Sequence, residues 1–271
     1  MAAPKLSTGK LCKSFVKDGA EIEVLRDLSI DVAPGEFVSI VGASGCGKTT
    51  FLRLVNGLIK PSSGVAQIDG RTVTGPGAGI AFVFQQDGLL PWRNVIDNTI
   101  IGPEVQGGDL KQARETASQY LAMVGLRGFE KHFPHELSGG MRQRVNMARA
   151  LTAGADVLLM DEPFAALDAQ TREIMQTELT RIWRETGKTI LFVTHQIDEA
   201  VFLSDRVLVF TVRPGRLKEE VIIDLPRPRE LAIKRTAPFG AHVDRIWKLI
   251  EEEVRESIRR ETEETLAAAR R

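Results

Sequence analysis

The sequence predicts an α/β chain: a mostly parallel sheet with helices on its faces, a β-rich N-terminal part and an inserted helical segment. Three observations predict it. Short apolar runs at 23–28, 36–41, 65–68 and 80–84, separated by Gly, Pro and Asp, read as strands. From about 97 to 153 the period changes: 110–124 and 141–151 space apolar residues three to four apart, and strand-like runs vanish. From 157 the strand signal returns at 157–160, 189–193 and 206–210, with a helix-like stretch at 170–185 between the first two. Strand, helix and strand in this order favour parallel pairing.

Within the first third one helix is expected at 48–58, directly after a glycine-rich turn. The tail is helical again. Val243, Ile246, Trp247, Ile250, Val254 and Ile258 form one stripe, and Glu251–Arg255 and Glu256–Arg260 stand four residues apart. A capping helix packed on the core is the first reading, a regulatory or contact helix the second.

Composition bounds the function. Of 271 residues 43% are hydrophobic and 27% charged, as in ordinary globular chains. Lys plus Arg and Asp plus Glu number 36 each, so no basic excess points to nucleic acid. No stretch approaches the roughly 20 apolar residues that cross a bilayer, and Met1-Ala2-Ala3-Pro4-Lys5 lacks the apolar core of a signal peptide. The two cysteines, Cys12 and Cys46, lack metal-ligand spacing, and a reducing cytoplasm is expected.

The first chemical motif is Gly42-Ala43-Ser44-Gly45-Cys46-Gly47-Lys48-Thr49, followed by Thr50. It matches a P-loop in pattern and in setting, after a strand and opening a helix. Glycines let the backbone curl so that N–H groups face phosphate oxygens, and the helix start adds partial positive charge. Lys48 is expected on the β- and γ-phosphates and the Thr49 hydroxyl on Mg²⁺. Cys46 is expected to gain thiolate character from Lys48 and the helix start, with a buried inert thiol as the alternative.

Leu137-Ser138-Gly139-Gly140-Met141-Arg142-Gln143-Arg144 decides the class of P-loop protein. It resembles the LSGGQ signature of ABC ATPases, with Met141 in place of Gln. The resemblance covers about 5–235, with the helical insertion at about 86–153 and a C-terminal helical extension at 236–271. It implies the RecA-like P-loop cassette fold, with Ser138, Gly139 and Gly140 opening a second phosphate-binding helix. Val157 to Pro163 looks like the Walker B strand, carrying Asp161 toward Mg²⁺ and Glu162 as the residue that polarises the attacking water. Ala166-Leu167-Asp168 resembles the D-loop, and His195 the switch histidine that reaches the γ-phosphate. Gln85 resembles the Q-loop glutamine that contacts Mg²⁺ and the water. Phe15 stands where the family stacks adenine, and Val24 is a weaker candidate for the other flank. His132, His135 and His242 match no motif and read as structural.

The same resemblance implies a pair of identical cassettes closing over two ATP molecules, with Ser138 serving the partner's nucleotide. It implies permease subunits as partners, an extracytoplasmic solute-binding protein indirectly, no nucleic acid, and a peripheral place on the cytoplasmic face of the cell membrane. Gln86 to Arg93, Arg213-Pro214-Gly215-Arg216 and Asp224 to Arg229 look like the import ATPases for nitrate, sulfonate, taurine or bicarbonate. A lipid or drug exporter and a non-transport ABC protein are the rivals. In the segment after Gln85, Gly88 and Pro91 oppose regular structure, so Leu89, Leu90 and Trp92 ride on a loop, facing either the permease or the core.

Overall fold

A computed structural model describes residues 3–77 and 79–269, with side chains described except at 256–258 and 260–269. In chain order the strands and helices are β1 Leu6–Lys17, β2 Ala20–Val32, β3 Phe37–Gly42, α1 Lys48–Val55, β4 Ser63–Ile68, β5 Arg71–Thr72 and β6 Ile80–Val83. There follow α2 Val95–Thr99, α3 Ile101–Val105, α4 Leu110–Met123, α5 Gly139–Thr152, β7 Val157–Asp161, α6 Ala169–Thr186 and β8 Thr189–Val193. The chain closes with α7 Ile197–Leu203, β9 Arg206–Phe210, β10 Leu217–Ile222 and α8 Ala237–Ala269. Two compact units result, Met1–Gly75 with Phe192–Arg271, and Pro76–Leu191.

The first unit holds an antiparallel sheet in the order β2-β1-β4-β5. Leu6 faces Val32 on one side and Ile68 on the other. Its second layer pairs β3 parallel to β9, from Val38 opposite Arg206 to Gly42 opposite Phe210, with β10 antiparallel to β9. Every residue of β3 is buried, and the strand is apolar except for Ser39, whose hydroxyl pairs with that of Ser204. Phe51 of α1 packs edge-on to Phe210, ring centres 5.6 Å apart.

Two arginines finish α7. Arg227 donates to the Leu203 carbonyl at 2.7 Å and to Asp205 at 2.9 Å. The nearly buried Arg229 donates to the carbonyls of Val201 (2.9 Å), Phe202 (3.0 Å), Ser204 (2.7 Å), Ile223 (3.1 Å) and Leu225 (3.4 Å). Burial first, and the neighbouring Arg227 second, push the pKa of Arg229 down to about 10.

Helix α8 buries Ile246 and Ile250 and so packs on its unit, but Trp247 is 55% exposed. The core-facing stripe is thus narrower than the periodicity suggests, because Trp247 lies one residue off the line through 246, 250 and 253. Arg255 does pair with Glu251 at 2.7 Å on the surface, a contact of little energetic weight. Ile258 and the Glu256–Arg260 pair lie outside the described side chains.

In the second unit β6 runs parallel to β7, Ile80 opposite Val157 through Val83 opposite Met160. Helices α2 to α5 follow β6, and Ile100, Ala113 and Ala117 form a small core among them. The helices start on caps: Asp109 accepts from Lys111 and Gln112 N–H at 2.8 and 3.2 Å, and Ser138 and Asp168 do the same for α5 and α6. Helix α6 stops at Gly187, a left-handed residue (φ 62°) that lets the chain turn into β8.

Candidate functional site

The loop between β3 and α1 is a tight curl. Gly45 (φ 72°) and Gly47 (φ 102°) are left-handed, the geometry of an anion-binding nest. The curl also needs glycine for space. A Cβ on Gly47 would stand 2.5 Å from Leu25 Cδ2, and one on Gly42 2.9 Å from the Phe210 carbonyl oxygen. Lys48 folds back over the loop, its ammonium donating to the carbonyls of Gly42 (2.8 Å) and Ala43 (3.0 Å). Ser44 and Gly45 are exposed, and Thr49 and Thr50 are half-buried in the first turn of α1. These residues fit a polyphosphate: a small concave backbone with a cation at its edge.

At Cys46 the structure favours the second of the two readings, the buried thiol. Its thiol is buried, and burial pushes its pKa up despite the Lys48 ammonium 3.9 Å away. Desolvation outweighs the cation, which disfavours the thiolate in this loop.

The same unit carries Phe15 and His195. Phe15, on β1, is 42% exposed with the Lys13 ammonium 4.9 Å from its ring centre. Val24 is buried instead, its Cγ1 3.2 Å from where a Cβ on Gly47 would sit, so it supports the loop from beneath. His195 is exposed just past β8. The preceding Thr194 is buried, donates its hydroxyl to Glu199 and accepts the Gln196 N–H at 3.0 Å, which fixes the backbone on both sides of the histidine.

The second unit carries the remaining candidates. All of β7 is buried, and Asp161 at its end is 4% exposed. Glu162 then takes a left-handed backbone (φ 48°), an uncommon state for a residue with a long side chain. Its carboxylate accepts a hydrogen bond from the Gln85 amide at 3.3 Å. Ser138 caps α5, accepting the Met141 N–H at 3.3 Å, and remains exposed with Gly139. A Cβ on Gly140 would come within 3.1 Å of Leu167 Cδ2, so the start of α5 lies against the turn that ends at Asp168. Hydrogen bonds from the Thr171 hydroxyl and N–H hold the Asp168 carboxyl below the usual range.

Residues 25–165 match the ABC transporter family model. The chain belongs to the ABC transporter family. It is 47% identical to an uncharacterized ABC transporter ATP-binding protein of Methanocaldococcus jannaschii, over 94% of each chain. It is 45% identical to the nitrate import ATP-binding protein NrtD of Synechocystis, over 96% of this chain and 97% of that one. It is 50% identical to the taurine import ATP-binding protein TauB of Yersinia pestis, over 74% and 78%. Among solved structures, a dimeric post-hydrolysis ATP-binding cassette bound to ADP and Pi superposes with a TM-score of 0.74 at 31% identity, covering 82% of this chain and all of that one. The fold is the ABC cassette fold, and the chain is an ATP-binding protein and ATPase coupled to transport. Among the described residues no helix is long and apolar enough to cross a membrane.

No motif announces the side chains that hold the segment around Gln85 in this ABC protein. Gln143 and Asn146 of α5 both donate to the Phe84 carbonyl, at 3.1 and 3.0 Å. Arg149 donates to the carbonyls of Asp87 and Gly88 at 2.8 and 2.9 Å, and Arg142 to the Asp87 carboxylate at 2.9 Å. Polar residues at 142, 146 and 149 form one helical stripe, which is a legible signal, but nothing local names the backbone they grip. Asn98 is a second miss. Fully buried, it accepts the Leu90 N–H (2.7 Å) and donates to the carbonyls of Leu90 (3.1 Å), Arg93 (2.8 Å) and Asn94 (3.1 Å). Trp92, on the loop so pinned, is 71% exposed, whereas Leu89 and Leu90 are half-buried.

Proposed function

We propose that this chain is the ATP-hydrolysing subunit of an importer for a small anion of the nitrate, sulfonate, taurine or bicarbonate class. It works as a pair of identical cassettes, peripheral on the cytoplasmic face of the membrane, bound to permease subunits and served indirectly by an extracytoplasmic solute-binding protein. The observation that carries the reading is the likeness to the nitrate import protein along almost the whole of both chains.

In this reading the backbone of Gly42 to Gly47, with Thr50, cradles the phosphates and Lys48 neutralises their charge. Phe15 stacks on the adenine, a contact that any purine satisfies. Glu162 accepts a proton from the attacking water, and Gln85, already hydrogen-bonded to Glu162, orients it. His195 donates to the γ-phosphate as negative charge develops there. Ser138 and the amides of Gly139 and Gly140 close on the nucleotide of the partner cassette, and Asp168 links the two copies. One two-fold axis then serves both sites. Mg²⁺, when bound, supplies charge neutralisation on the phosphates, and Asp161, the Thr49 hydroxyl and the Gln85 amide oxygen are the hard oxygen ligands that suit it. The buried end of β7 fits that role, since a carboxylate there is already fixed in place.

The test is uptake of labelled nitrate, taurine and bicarbonate by cells lacking the chain, together with its copurification with a membrane permease. Loss of uptake of one anion and recovery with a permease are expected. Undiminished uptake of all three, with no permease bound, would sink the importer reading.

A further inference from the structure

The C-terminal helix reaches the phosphate loop through one turn. Glu253 of α8 is nearly buried; its Oε2 accepts the Val212 N–H at 2.8 Å and its Oε1 pairs with Lys218 at 2.9 Å. Val212 belongs to the turn between β9 and β10, which is closed on itself. Thr211 N–H donates to Arg216 O at 2.9 Å, the Thr211 hydroxyl to Pro214 O at 3.1 Å, and Arg216 N–H to the same hydroxyl at 3.0 Å. On its far side the turn rests on the phosphate loop. Gly215 exchanges hydrogen bonds with β2, N–H to Val24 O at 2.8 Å and O from Arg26 N–H at 3.0 Å. A Cβ on Gly215 would stand 2.1 Å from the Cys46 carbonyl oxygen, and Arg213 donates to the Gly45 carbonyl at 3.5 Å. The turn therefore touches the backbone of the two residues at the heart of the curl.

An apolar side chain at 253 would extend the buried line of Ile246 and Ile250. A carboxylate stands there instead, where burial is costly unless every oxygen is satisfied. The buried Val212 N–H needs an acceptor, and Glu253 supplies it.

We propose that Glu253 is a positioning residue for nucleotide binding: by holding the β9–β10 turn, it keeps Gly45 and Cys46 in the phosphate-binding curl. This rests on reading 42–50 as the phosphate site of ATP. The experiment measures MgATP affinity and melting temperature of the full chain in parallel. Glu253→Ala is expected to weaken MgATP binding about tenfold, the worth of one hydrogen bond to a charged group. Glu253→Gln, whose amide oxygen still accepts the Val212 N–H, is expected to stay within about twofold of the parent. Ile250→Ala, a packing loss on the same helix, is expected to lower the melting temperature and leave affinity unchanged. Should the alanine variant not fold, Glu253→Asp, one methylene too short, is expected to weaken binding severalfold. Parent-like affinity in folded Glu253→Ala or Glu253→Asp, or an equal loss in Ile250→Ala, overturns the proposal. Lys48→Ala separates the two levels: if it loses binding while Glu253→Ala does not, only the role of Glu253 falls. If Lys48→Ala binds MgATP like the parent, the phosphate-site reading falls and takes this proposal with it.

Discussion

Replacing Glu162 by glutamine isolates the charge of the proposed base from everything else that residue does. The side chain keeps its length, and an amide oxygen can still accept the 3.3 Å hydrogen bond from Gln85. The left-handed backbone at φ 48° is equally awkward for Glu and Gln, so the folded state is not differently strained. What disappears is the carboxylate that draws a proton from water, worth about 10²–10⁴ in rate, or about 3–5 kcal/mol of barrier. In the proposed pair, blocked hydrolysis should leave ATP between the two cassettes and the pair intact. Phosphate release and mass by light scattering, both with MgATP, are read together. Turnover within tenfold of the parent would show that Glu162 is not the base. Glu162→Asn adds a second reading. Left-handed geometry costs a residue such as Glu about 1 kcal/mol, and Asn tolerates it far better. The asparagine variant should be as inactive as the glutamine one yet resist denaturant better, by about 0.5–1 kcal/mol. Equal midpoints would mean that no strain is held there.

Other outcomes follow from the same structure. Ser138→Arg should leave ATP binding by the single chain nearly intact and abolish hydrolysis, at a capping cost of about 1 kcal/mol; collapse of ATP affinity in the monomer would place Ser138 in its own chain's site. Because burial raises the Cys46 pKa, its thiolate fraction at neutral pH is below that of an ordinary thiol, and maleimide should modify Cys12 first. Labelling of Cys46 should rise only as pH climbs past the usual thiol range, and fast neutral labelling by peptide mass mapping would contradict the burial argument. Trp92→Glu should weaken copurification with a permease while sparing the melting temperature and basal ATPase rate, since Trp92 is mostly exposed; unchanged copurification would remove this loop from the docking surface. Asn98→Ala should instead destabilise the chain by about 1–3 kcal/mol, seen in denaturant midpoints, because it strands the Leu90 N–H and the Arg93 carbonyl, while the Leu90 and Asn94 carbonyls keep their backbone donors.

What the sequence reveals follows a physical line. Strands buried on both faces, such as β7 and β8, announce themselves as unbroken apolar runs, and β3 as one interrupted only by Ser39. β1 and β10 do not: Ser, Thr, Gly and Lys interrupt the apolar residues of β1, and Lys218, Glu219 and Glu220 fill the edge strand β10. The seven residues of α7 are too short to show a period. The site divides the same way. The loop 42–50, Asp161–Glu162 and Ser138–Gly140 are contiguous motifs and can be read directly. The Gln143, Asn146 and Arg149 grips on 84–88, and the contact of Gly215 with Cys46, join residues far apart in the chain. Which carbonyl a side chain will meet is a property of the fold, and no local pattern encodes it. The exposure of Trp247 has the same origin: periodicity finds the stripe, and the neighbouring layer decides how wide it is.

The arginine that finishes α7 bears on how the chain's likenesses are understood. Asp224 to Arg229 is one of the stretches that resemble the anion importers, which invites the thought that it responds to the anion. Arg229 spends its guanidinium on five backbone carbonyls, three of them at the close of α7. Ser204, the cap residue, is extended rather than left-handed, so no glycine turn is there to take up those oxygens. A cation delivered from 25 residues downstream of Ser204 does so instead, at the negative end of the helix. A chain that ends α7 this way needs the arginine for the helix end itself, independently of any solute. In this chain the arginine is therefore a joint, placed by how a helix is terminated.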